Sequence, residues 1–213
     1  MARRDPLTPA HPVRPGDGDA EVAARHAAAV AEWVRLGAAL ADPGLVASVD
    51  AAGRALVDAV AAGGTILVAG NGGSAAMASH VAAEFAGRCV RDRDPLPALS
   101  LAESPASLTA IGNDYGFDQV FVRGVRAHGR AGDVLIAMTT SGSSANILAA
   151  LDAARERGLV TIALTGARGG HLAGHARHTL VVPSDCTPRI QEVHLLWTHA
   201  WCEAVDHVWA DAR

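Results

Sequence analysis

The chain has 213 residues, half of them apolar and only 4% aromatic, with a formal net charge of −4. That length suits one domain with a sizeable core of Ala, Val and Leu, and an acidic balance with no basic run argues against nucleic acid as a partner. All 18 basic residues are arginine, which excludes Schiff-base chemistry through a lysine amine and a Walker-type nucleotide loop with its Lys.

Residues 1–18, "MARRDPLTPAHPVRPGDG", read as a flexible tail. An export signal would need an apolar segment after Arg3 and Arg4, and here Asp5 and prolines follow. No run elsewhere approaches the roughly 20 apolar residues of a membrane span. Cys89, Cys186 and Cys202 have neither metal-finger nor disulfide-scaffold spacing, so a reducing cytoplasm is expected.

From Asp19 to about Ala41 apolar residues recur at helical steps. Pro43 and Gly44 break that helix, and a second runs from about Leu45 to Ala62, closed by Gly63 and Gly64. Strand-like runs follow at 65–70, 97–101, 133–139, 160–165 and 178–183. Helices are expected at about 74–87, 105–127 with a break near Asn113, 144–157 and 189–210. Short apolar strands alternating with helices predict an α/β fold, a doubly wound five-stranded parallel sheet behind two leading helices. The expected organisation is a tail over 1–18 and a single domain over 19–213.

Ligands of such sheets bind beyond the carboxyl ends of the strands. Two strand ends carry small polar residues, "GNGGS" (Gly70 to Ser74) and "TTSGSS" (Thr139 to Ser144). Each leads into a helix whose first N–H groups and dipole favour an anion. "GNGGSA" also loosely fits the dinucleotide pattern G-x-G-x-x-A, but that pattern wants an acidic residue about twenty positions on. Glu103, the nearest candidate, is too distant. Two Ser/Gly loops favour a phosphorylated small molecule over NAD.

His80 and Glu84 stand four apart on one face of the helix after the first loop, with Arg88 a further step along. A solvated polar stripe is the plain alternative. In the last segment, Ile190, Val193, Leu196 or Trp197, Ala200 and Ala204 mark a buried stripe. Gln191 and His199 lie about 80° and about 12 Å apart on that helix. They reach a shared ligand only by leaning together or by coming from different subunits. His194 and His207 are expected at the surface or an interface, without a role.

Taken together, "AGNGGSAAMASHVAAEFAGR", "AIGNDYGF", "GDVLIAMTTSGSSANI", "VTIALTG" and "TPRIQEVHLLWTHAWCE" resemble the sugar isomerase (SIS) domain family. The resemblance covers nearly everything after the tail and is greatest to its phosphoheptose isomerases, with a flavodoxin-like sheet. It implies conversion of sedoheptulose 7-phosphate to D-glycero-D-manno-heptose 7-phosphate through an enediol. Glu84 and His199 would move the protons, and Zn2+ would be bound by His80, Glu84, Gln191 and His199. Asn71, Gly72, Gly73, Ser74, Thr139, Thr140, Ser141 and Ser144 would hold the phosphate. Asn113 and Asp114 would hold sugar hydroxyls, and Glu84, Arg88 and Gln191 would also face substrate. A homotetramer is implied. Related SIS proteins bind a replication initiator without catalysing, and others isomerise a different sugar phosphate. Intact Glu84 and His199 favour catalysis.

Overall fold

The computed structural model describes residue 16 and residues 18–210. The expected tail, with Arg3 and Arg4, falls almost entirely outside the described residues. The chain divides into two compact units at Ala39 and Leu40. The first is dominated by α1 (Asp19–Leu40), in which Leu36 is buried while Val22, Val30 and Val34 are exposed.

The second unit begins with α2 (Pro43–Ala61), started by Asp42, whose side chain accepts from Leu45 N, and by Pro43 in the first turn. This is the N-terminal capping that an Asp-Pro pair favours. The order then runs β1 (Ile66–Gly70), α3 (Gly73–Ala86), β2 (Ala98–Ser100), α4 (Pro105–Tyr115), α5 (Val120–His128), β3 (Val134–Thr139), α6 (Ala145–Glu156), β4 (Val160–Thr165), β5 (His178–Val181) and α7 (Thr187–Ala210). The break expected near Asn113 in the helical stretch over 105–127 falls at Gly116, three residues on. Gly116 has φ +91, a conformation that suits glycine.

All five strands are parallel, in the order β2-β1-β3-β4-β5. Side chains alternate across the sheet. Leu67, Ala69, Leu135, Ala137 and Ala163 pack with Phe121 and Val125 of α5 and Ile147 and Leu151 of α6. The opposite residues Ile66, Val68, Ile136, Met138, Ile162 and Leu164 are equally buried, on the face covered by α2, α3 and α7. The doubly wound expectation holds.

Trp201 of α7 approaches α2 so closely that a Cβ on Gly53 would lie 2.6 Å from the indole. The buried stripe of α7 is rotated from expectation. Ile190, Val193 and Trp197 are buried, but Leu196, Ala200 and Ala204 are exposed, and Trp201, Cys202 and Val205 take the inner positions. Bulky side chains filled the space that alanines would have left open. Among the described residues no helix is long and apolar enough to cross a membrane.

Candidate active site

The two polar loops lie at the carboxyl ends of β1 and β3, neighbouring strands at the point where the chain order reverses. In the first, a Cβ on Gly70 would stand 2.6 Å from the Ser74 carbonyl, and Gly72 has φ +55. Glycine therefore lets the chain turn tightly into α3. In the second, Ser144 precedes α6 but gives it no side-chain cap. Its hydroxyl turns back to Thr139 Oγ1 at 3.2 Å, and Gly142 N donates to the same Thr139 oxygen at 3.2 Å. Ser143 bonds to Ser141 Oγ through both its N–H and its hydroxyl. Thr140 and Ser141 line a cavity of about 120 Å³ with Arg168, Asp185 and Thr187.

The loops are joined. Asn71 and Asn146 exchange amide hydrogen bonds of 2.9 and 2.8 Å. Asn71 was expected in the first loop, whereas Asn146, buried in the first turn of α6, was not recognised. Its signal was a polar residue at a position that α6 turns inward.

α3 and α7 lie side by side and run in the same direction, as three successive contacts establish. Gln191 Nε2 donates to Ser74 Oγ at 3.4 Å, and a Cβ on Gly73 would come within 2.7 Å of that nitrogen. Further along, His80 Nε2 and His199 Nε2 are 2.9 Å apart, with the rings edge to face. Beyond them, Asp206 Oδ2 accepts from the amides of Cys89, Val90 and Arg91.

Glu84 Oε1 stands 3.7 Å from His80 Nε2, with its side chain 21% exposed. His80 thus has His199 on one side and Glu84 on the other. Within this chain Gln191 is elsewhere, against the first loop. Arg88 lies past the end of α3, which closes at Gly87, so the polar stripe expected to continue to it stops at Glu84. Asn113 and Asp114 are exposed near the end of α4 and bond to each other at 2.8 Å. No hydrogen bond among the described residues ties them to either loop.

Among the described residues no group of three or more His, Cys, Asp or Glu is gathered closely enough to enclose a metal ion. The donor types nevertheless suit one. Two imidazole nitrogens on a tetrahedral zinc stand roughly 3.3 Å apart, slightly more than the His80–His199 contact. As free imidazoles, one of the pair must donate to the other. The Cys89 thiol donates toward the Glu84 carboxylate; burial first, then that carboxylate, push the thiol up to about 11. It remains a thiol at neutral pH.

His194, expected at the surface or an interface, is fully buried, with its ring stacked against Trp197. Burial pushes it down to about 4. The Thr165 carbonyl pulls the other way, though neither ring nitrogen makes a hydrogen bond of good geometry.

The SIS domain family matches residues 41–166. The phosphoheptose isomerase of Rhodospirillum rubrum is 52% identical over 145 residues, covering 68% of this chain and 77% of its own. That of Burkholderia pseudomallei is 48% identical over 179 residues, covering 84% and 91%. Among solved structures, the phosphoheptose isomerase of Neisseria gonorrhoeae superimposes with a TM-score of 0.80 at 44% identity, over 87% of this chain and 99% of that one. The Francisella tularensis phosphoheptose isomerase gives 0.75 at 36% identity, over 88% and 97%. The chain therefore belongs to the SIS domain family, among its phosphoheptose isomerases, and is an isomerase.

Proposed function

We propose that the protein interconverts sedoheptulose 7-phosphate and D-glycero-D-manno-heptose 7-phosphate by moving a proton between C1 and C2 through an enediol. The observation that carries this reading is that His80, on the helix that opens at the first glycine loop, stands beside Glu84 of the same helix and meets His199 of α7. A phosphate at the loops, held by Ser74, Thr139, Thr140, Ser141 and Ser144, supplies binding energy far from the reacting carbons. Glu84 is the carboxylate that takes the proton from one carbon and returns it to the next. His199 exchanges a proton with the carbonyl oxygen. Each task needs a group within hydrogen-bond reach of its atom. The joined loops fix the phosphate so that the other end of the sugar is presented repeatedly in one pose.

A zinc ion would be held by nitrogens of His80 and His199 and by one oxygen of Glu84, leaving the other Glu84 oxygen and the other His199 nitrogen for proton transfer, and it would supply polarisation of the carbonyl. Gln191 is a loop residue in this scheme, because its amide is engaged with Ser74. Assembly as a homotetramer is supported by the exposed valines of α1. Three free cysteines support a cytoplasmic home. A non-catalytic, initiator-binding role is disfavoured by Glu84 and His199, neither of which such a role requires.

The test is proton NMR of sedoheptulose 7-phosphate with the purified protein in D2O, with and without a chelator. New aldose signals with deuterium entering at C2, lost on chelation, support the reaction and the metal together. Activity that survives metal removal keeps the reaction and removes zinc from it. Absence of exchange in metal-replete protein overturns the substrate assignment.

A further inference from the structure

Arg93 and Asp206 form an ion pair with both side chains fully buried, Arg93 Nε donating to Asp206 Oδ1 at 2.7 Å. The rest of each group is occupied as well. Arg93 Nη1 donates to the carbonyls of Phe85, Gly87 and Asp94, and Nη2 to the carbonyl of Glu84 at 2.9 Å. Asp206 Oδ2 accepts from the amides of Cys89, Val90 and Arg91 at 2.9, 2.6 and 3.0 Å. The pair therefore binds three pieces of backbone: the end of α3, the loop after it and, through Asp206, the last third of α7.

The last carbonyls of a helix have no intrahelical partner, and last turns fray. Glu84 lies in the last turn of α3. A guanidinium returning from the following loop satisfies those carbonyls and places a cation where the helix dipole favours one. On α7, Asp206 is seven residues beyond His199, about two turns along the same rod. The pair thus joins the helix that carries Glu84 to the helix that carries His199. A buried ion pair is weak as a source of stability but can secure one arrangement over its alternatives, and reacting groups must be held to within about 0.5 Å of their working geometry.

We propose that the Arg93–Asp206 pair is the positioning element of the catalytic centre, holding the last turn of α3 so that Glu84 stays in register with His199. This rests on the reading of Glu84 and His199 as the proton-moving groups. Neither Arg93 nor Asp206 touches the substrate. The pair acts through the Glu84 carbonyl and the Cys89 amide.

Arg93→Lys keeps a charge beside Asp206 but lacks the fork that spans four carbonyls. Its kcat should fall between about tenfold and a hundredfold with KM changed less than about twofold, while its circular dichroism stays that of the parent. Asp206→Asn should behave alike. A folded variant with parental kcat would overturn the proposal. Hydrogen exchange on the unmodified protein covers the case in which neither variant folds. The amides of Cys89, Val90 and Arg91 should then be as protected as those of β3, and exchange at the rate of open loops would overturn the proposal. If the unmodified protein fails to turn over the sugar phosphate, the substrate assignment falls and the exchange measurement still decides on the clamp.

Discussion

Asn71 and Asn146 exchange two amide hydrogen bonds across the ends of β1 and β3, so that two loops from distant parts of the chain behave as one cradle. Each amide satisfies the other. Removing one side chain leaves a half-buried donor and acceptor unpaired, which costs about 1–3 kcal/mol. Asn146→Ala should lower the melting temperature and raise KM about tenfold with a smaller change in kcat. Initial rates over a range of sugar-phosphate concentrations separate the two.

Replacing Glu84 with Gln keeps the shape of the side chain and removes its basicity. Loss of a positioned acid–base group costs roughly 10²–10⁴ in rate. Deuterium incorporation at C2 should fall by that amount while thermal unfolding stays close to the parent. Full exchange in Glu84→Gln would sink the role given to this residue.

His194 should make the protein sensitive to mild acid. The folded protein keeps the ring neutral down to about 4, against 6.5 for the free side chain. Between those values the unfolded chain binds a proton that the folded chain refuses, so stability falls as pH drops. That gap corresponds to about 3 kcal/mol in all, and unfolding by urea at a series of pH values should reveal it. His194→Leu should flatten the curve in this window. Asp206 acts at lower pH. Burial alone would raise its carboxyl, but the amides of Arg91 and Val90 and the Arg93 guanidinium outweigh burial and hold it below the usual carboxylate range. Its contribution is complete above the ordinary carboxylate range and is lost as pH falls through the depressed folded value. Asp206→Asn should remove that low-pH part of the profile only.

Two glycines at the loops should respond differently to a methyl group. At Gly73 the obstacle is the far end of the Gln191 side chain, which can swing away. Gly73→Ala should fold, release Gln191 from Ser74 and weaken sugar-phosphate binding. Gly142 has φ +74, and its Cβ would come within 2.4 Å of Gly169 Cα. Backbone cannot yield so cheaply, and a residue forced into this region costs on the order of 1–3 kcal/mol. Calorimetric melting of Gly142→Ala beside Gly73→Ala checks the contrast.

Metal binding can be read without catalysis. His80→Asn should retain less zinc than the parent after dialysis against excess ion, as measured by atomic emission. Equal retention would place any bound zinc away from the His80–His199 pair.

The alternation of short apolar strands with helices was legible because the 2 and 3.6 periodicities are local properties of the chain. The phosphate-type loops were legible for a similar reason, since glycines and hydroxyls cluster where a strand turns into a helix. Arg93 and Asp206 were not. They stand 113 residues apart, and in sequence each looks like a surface charge beside other charges. Gln191 illustrates the middle case. Its helix and spacing from His199 were readable, but its contact with Ser74 depends on how α7 lies along α3. His194 was misplaced at the surface or an interface because nothing in its own neighbourhood tells a buried histidine from an exposed one.

The parallel run of α3 beside α7 also sets a length scale. Ser74 and His80 are six residues apart, about 9 Å along the helix axis. A phosphate seated at Ser74 and a carbonyl reaching the His80–His199 contact must be joined by a carbon chain that spans this interval. Under the proposed roles of Ser74, Glu84 and His199, shorter sugar phosphates would dock and leave their reactive end short of these groups. Selection would then come from reach, with no wall needed to turn the smaller molecules away.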